Sequence, residues 1–129
     1  NGSAQLVAAV QADRVYRGVA VNPVLSATGI PATLTGLGIS AAVPKNARRV
    51  RGYLQIANPS ASASYGMAIA ADANGTDYQY MQAYVQSGAE NGASWPFDVA
   101  LTTPQSIAYE QVGVNTSGTY SIQITGYEI

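Results

Sequence analysis

The residues best suited to touching a ligand lie between Asp72 and Trp95. In Tyr78-Gln79-Tyr80-Met81-Gln82-Ala83-Tyr84-Val85 the side chains alternate with period two. Tyr78, Tyr80, Gln82 and Tyr84 share one face of an extended segment, and Gln79, Met81, Ala83 and Val85 share the other, which reads as core. Tyrosine offers a rigid apolar ring with a polar tip at low entropic cost, so such a stripe suits a binding platform or a contact between subunits. Its rings can stack on the C–H faces of sugars, and the neighbouring Asp72, Asp77 and Asn74 can bond hydroxyls. Trp95, the only tryptophan, follows the loop Ser87-Gly88-Ala89-Glu90-Asn91-Gly92. Two candidate ligand sites result, one at each end of the strand: Tyr84, Asn91 and Trp95, or Tyr78, Asp77 and Asn74. The first has the composition of an adaptable paratope and is the leading expectation. The alternative for Trp95 is an anchor that plugs the end of the fold.

A second constellation is basic. Arg48, Arg49 and Arg51 follow Lys45, and Arg49, Arg51, Tyr53 and Gln55 share the outward face of one strand. Cations interleaved with an aromatic ring can hold single-stranded nucleic acid. The pI near 5.0 and the lack of any nucleic-acid-binding signature argue against that partner. Charge is sorted along the chain: six bases against one acid leave about +5 in the first 51 residues, and six acids with no base follow residue 71. The arginines therefore pair with acids such as Glu110 or Glu128, within a chain or across a contact between copies. The expected subunit interface is Arg49, Arg51, Tyr53, Glu110 and Glu128. Only 10% of residues are charged, which also asks for surface covered by partners.

Cysteine and histidine are both absent, which removes disulfides, thiolate chemistry, a Ser-His-Asp triad and the commonest transition-metal ligand. Asp72-x-Asn74 opens like a calcium loop, but the later ligands of such a loop are missing and turn formation explains the residues. The expectation is a non-enzyme with no metal and no cofactor. A glycosidase working with Asp and Glu alone is the catalytic alternative.

The elements that position these residues read as strands. Tyr120, Ile122 and Ile124 alternate with Ser121, Gln123 and Thr125 after the turn at Asn115-Thr116-Ser117-Gly118. Gln105–Val112, Trp95–Leu101, Tyr78–Val85, a segment with Tyr65, Met67, Ile69 and Ala71 on one face, and Arg48–Ala57 follow going backwards. Leu34–Ser40 and Val15–Val21 are further extended segments, and Ala4–Val10 is helix turn or strand. Prolines at 23, 31 and 44 oppose any long helix before residue 47. The fold class expected is all-β, an antiparallel two-sheet sandwich of jelly-roll type with little helix. The 129 residues form a single domain, with Asn1-Gly2-Ser3 a tag scar or the start of a fragment. No run reaches the ~18 apolar residues of a membrane span, so no membrane insertion is expected.

Three phrases resemble the head domains of bacteriophage tail fibres and related virion-attached β-sandwich modules. They are Val43-Pro44-Lys45-Asn46-Ala47-Arg48-Arg49-Val50-Arg51-Gly52, Leu101-Thr102-Thr103-Pro104-Gln105-Ser106-Ile107-Ala108-Tyr109, and the closing Ser117–Ile129 with its Gly126-Tyr127 ending. The resemblance implies a homotrimer on the surface of a virion, whose loops contact a bacterial surface polysaccharide or protein beside other virion proteins. It transfers no particular binding residue, and it leaves a capsid decoration or head-fibre module as the structural alternative.

Overall fold

The computed structural model describes residues 15–90, 92–113 and 118–129. The segment Ala4–Val10, Asn91 and most of the turn before the last strand lie outside the described residues. Eight strands are present among the described residues: β1 (Tyr16–Thr28), β2 (Thr35–Gly38), β3 (Arg49–Ala57), β4 (Ala63–Ala70), β5 (Gln79–Val85), β6 (Ala93–Ala100), β7 (Ser106–Gly113) and β8 (Thr119–Glu128). They form two four-stranded sheets, β1-β8-β3-β6 and β2-β7-β4-β5, and every pairing is antiparallel. Only β4 and β5 are neighbours both in sequence and in a sheet; the other connections cross between sheets. That interleaving of eight strands is the jelly-roll arrangement expected from the sequence, and no helix occurs among the described residues.

Period-two alternation builds the core. β3 buries Val50, Leu54 and Ile56 on one face and turns Arg49, Arg51, Tyr53 and Gln55 out on the other. β8 contributes Tyr120, Ile122 and Ile124, and the second sheet contributes Tyr65, Met67, Ile69, Ile107 and Tyr109. Each such aliphatic side chain taken fully out of water contributes ~1.5–3 kcal/mol. Tyr120 Oη is buried without a hydrogen-bond partner among the described residues, and burial pushes its pKa up.

One element departs from expectation. Extended structure was expected over Val15–Val21, yet β1 continues to Thr28 through Pro23. β1 is an edge strand, and its pairing with β8 slips between Gly18 and Asn22 and again between Pro23 and Leu25. A proline that cannot donate to a ladder is tolerated at an edge and at an irregularity.

Candidate functional site

The outward face of the second sheet is built on very small residues. On β4 the outward positions are Ser64, Gly66, Ala68 and Ala70, and Ala108 lies beside Ala70 on β7. Ala68, Ala70 and Ala108 are fully buried, yet they are not part of the apolar cluster between the sheets. Their burial calls for cover from outside, and side chains of the flanking strands meet above β4 to supply it for Ala68 and Ala70. Tyr78, just before β5, donates its hydroxyl to Glu110 Oε1 on β7 at 2.7 Å. That bond spans two inter-strand spacings, ~10 Å, and no bulky β4 side chain blocks its path. A second crossing is made by Gln82, whose Nε2 occupies the space that a Cβ at Gly113 would fill, 2.8 Å from that position. Gly113 has φ +86°, a conformation natural to glycine, so backbone shape and the lack of a side chain are both used there.

This frame displays the tyrosine stripe. Tyr78, Tyr80 and Tyr84 are 42%, 60% and 68% exposed, while Met81 and Ala83 between them are half-buried and Val85 is buried. The rings of Tyr78 and Tyr80 lie 6.2 Å apart, tilted by 46°. The hydrogen bond to Glu110, with partial burial and the Glu110 charge, pushes the Tyr78 hydroxyl up to about 12. Glu110 fixes Tyr78; the hydroxyls of Tyr80 and Tyr84 make no hydrogen bond among the described residues.

The turn before β5 is tied down from within. Asp72 Oδ1 accepts the backbone N–H groups of Asn74 and Thr76, and Oδ2 accepts the Thr102 hydroxyl at 3.0 Å. Hydrogen bonding from Thr76 above all, with Thr102 and Asn74, holds the Asp72 carboxyl below its ordinary value against a smaller opposing desolvation. Asp77 Oδ2 accepts the Ala100 N–H at 2.9 Å, tying the turn to β6 of the other sheet. Asn74 is exposed on this turn.

The two expected ligand clusters fare differently. Tyr78, Asp77 and Asn74 stand on one turn, but Tyr78 reaches Glu110 on the second sheet while the Asp77 carboxylate turns to Ala100 of the first. Tyr84 and Trp95 belong to different sheets, and Trp95 faces inward on β6 with Phe97 and Val99, half-buried against the core. The anchor role is the one its position fits. The basic strand finds partners within the chain. Asp98 is held by Arg49 Nε at 2.9 Å and Arg51 Nε at 3.1 Å, and Arg51 Nη2 meets Glu128 Oε1 at 3.0 Å. Tyr53 stands on the same outward face, between Pro96 and Gln123. Glu110 is on the other sheet, apart from the arginines. Asp98, the acid that bridges both arginines, was missed. The signal was available only as register, because Arg51 lies directly opposite Asp98 once β3 and β6 pair.

Beside these ion pairs the outward side of the first sheet holds an open hollow of about 450 Å³. The Tyr16 ring lies across Gly126, where a Cβ would come within 2.1 Å of the Tyr16 hydroxyl oxygen. The Arg51 guanidinium carbon sits 4.7 Å from the centre of that ring. Gln79 closes the hollow from the β5 edge, its Nε2 donating to the Asp98 carbonyl at 2.7 Å.

No protein-family model matches the chain, and no curated protein matches it. Among solved structures the chain is similar to the CBM22-1 xylan-binding domain from Paenibacillus barcinonensis Xyn10C, at 17% identity over 88% of this chain and 85% of that one, with a TM-score of 0.39. It is also similar to a family 16 carbohydrate-binding module-2, at 15% identity over 78% of this chain and 73% of that one, with a TM-score of 0.29.

Proposed function

We propose that this β-sandwich is a non-catalytic glycan-binding module whose ligand lies on the tyrosine face of the second sheet. The observation that carries this is the row Tyr78, Tyr80 and Tyr84, exposed side by side on an outward face floored by alanine and glycine. Exposed aromatic rings in a row are costly to leave in water and serve a partner surface. A sugar chain suits this one because it presents C–H faces to rings and hydroxyls to the tyrosine tips, Gln82 and the Oε2 of Glu110, which accepts no hydrogen bond among the described residues. Tyr80 and Tyr84 are four residues apart on one strand, ~13 Å, so they address an oligosaccharide rather than a single sugar.

In its finer form the proposal is a receptor-binding tip of a virion-attached fibre, homotrimeric, recognising a bacterial surface polysaccharide. The supports for this are the three tail-fibre-like phrases and the low fraction of charged residues. The ion pairs of the basic strand close within one chain, so they supply no drive towards a trimer.

The test is retention on immobilised bacterial capsule and lipopolysaccharide, with soluble reducing ends assayed in parallel. Retention without cleavage, lost in a Tyr80→Ala, Tyr84→Ala double variant, supports the proposal. Release of reducing ends would make the chain a hydrolase. Absence of retention on every glycan tried would leave the capsid decoration module as the better account.

A further inference from the structure

We propose a second ligand site, independent of the tyrosine face, in the hollow on the outward side of the first sheet, and that it takes one neutral sugar unit through its hydroxyls. Its volume of about 450 Å³ is that of a small-molecule site. Its wall is the half-exposed Tyr16 ring, held in place from three directions. Gly126 lies beneath it, its hydroxyl reaches the Thr125 carbonyl at 3.5 Å, and Arg51 packs on its face.

Arg51 is fixed as firmly. Its Nε donates to Asp98 and its Nη2 to Glu128, and Thr125 Oγ1 donates to its carbonyl. Its Nη1 makes no hydrogen bond among the described residues and is left as a donor. Gln79, which lines the same hollow, commits Nε2 to the Asp98 carbonyl, and its Oε1 accepts no hydrogen bond among the described residues. A donor side chain and an acceptor side chain lining one hollow match sugar hydroxyls, each of which both donates and accepts. The part of the Tyr16 ring left exposed beside Arg51 offers the same ligand an apolar contact.

Charge selects against acidic ligands. Around the hollow Arg49 and Arg51 are opposed by Asp77, Asp98 and Glu128, so an anion meets no net positive field. Both arginines already satisfy carboxylates, and an acidic ligand would have to compete with them. A neutral polyhydroxylated ring needs neither charge. With ligand faces on opposite sheets, one module can hold two glycan chains at once.

The test is an amide chemical-shift titration of the whole chain with the methyl glycosides of glucose, galactose, mannose and xylose, and with glucuronate as the acidic probe. At least one neutral glycoside should give saturable shifts clustered at residues 16, 51, 79, 98 and 125, and glucuronate none. Gly126→Ala should push the Tyr16 ring aside, because the clash is with the far end of a half-exposed side chain. That variant should weaken the cluster at least tenfold while the melting curve shows the chain folded. Arg51→Lys, which keeps the charge and loses the planar donor, should do likewise. The Tyr80→Ala, Tyr84→Ala variant should leave the cluster intact. No saturable shift at these residues with any neutral probe, equal affinity in both hollow variants, or stronger binding of glucuronate would each overturn the proposal. None of those results bears on binding at the tyrosine face.

Discussion

Removing the rings of Tyr80 and Tyr84 separates binding from folding. Both side chains are more than half exposed on an edge strand, so truncation uncovers little that is now buried. Exposed substitutions of this kind change stability by about 0.5 kcal/mol or less. If each ring stacks on a sugar as aromatic side chains stack on bases, its loss costs about 1–3 kcal/mol of binding. At 1.4 kcal/mol per tenfold, that is roughly 5- to 150-fold per ring. The two rings stand ~13 Å apart along the strand, beyond the distance at which mutational effects couple, so the losses should add. The double variant should therefore bind a neutral oligosaccharide ligand at least ~30-fold more weakly by titration calorimetry. Its melting temperature should stay within a few degrees of the parent. A ligand that binds the double variant with parental affinity would remove the tyrosine face as the site. A parallel fall in melting temperature would show that the rings are structural.

Other outcomes follow from the same geometry. Trp95→Ala should cost about 2–3 kcal/mol, because an inward, half-buried ring is lost from the core edge, and should lower the melting temperature by ~10 °C in calorimetry. Oligosaccharide affinity at the tyrosine face should be unchanged by it. Gly113→Ala places a Cβ 2.6 Å from the Ser64 carbonyl in a backbone with φ +86°, and should destabilise by about 1–3 kcal/mol, read from a urea midpoint. Tyr78 should ionise late in a spectrophotometric titration. Its pKa is raised in the folded state, so the stability it contributes is complete below pH 10 and is lost as pH climbs towards about 12. Glu110→Gln removes the carboxylate and should move that one tyrosine back towards 10, leaving the late titration of buried Tyr120 in place.

From Arg48 onward the strands were legible because each carries strict alternation between turn residues. Arg48–Ala57 against the observed Arg49–Ala57, and Tyr78–Val85 against Gln79–Val85, differ by a single residue. β1 was less so, since Pro23 reads as a stop unless the strand is known to lie at an edge. The pairing order could not be read at all. Tyr16 meets Glu128 and Thr35 meets Tyr109, and no local pattern encodes contacts at such separation. The same gap explains the ion pairs, where register brings Asp98 to Arg51 and carries Glu110 to the opposite sheet. The tyrosine row was visible as a stripe. Its floor was not, because Gly66, Ala68 and Ala70 are apolar on both readings, and only the sheet shows which way they face.

Both outward faces use one physical device. A side chain can lie across a neighbouring strand only where that strand presents almost nothing, and each crossing here runs over such a place. Tyr78 passes over the alanines of β4 to reach Glu110, and Tyr16 lies over Gly126 of β8 to meet Arg51. In each case the far end is tied by a polar partner, so the ring loses its freedom on folding and not on binding. A ligand that meets a ring already ordered is spared that entropy. Tyr80 and Tyr84, whose hydroxyls make no hydrogen bond among the described residues, must still be ordered by whatever they hold, which makes the tyrosine face adaptable along its edge and rigid at its Tyr78 end. Glu110→Ala tests that division, since it removes the acceptor and should loosen Tyr78 while leaving the Tyr84 ring as it is.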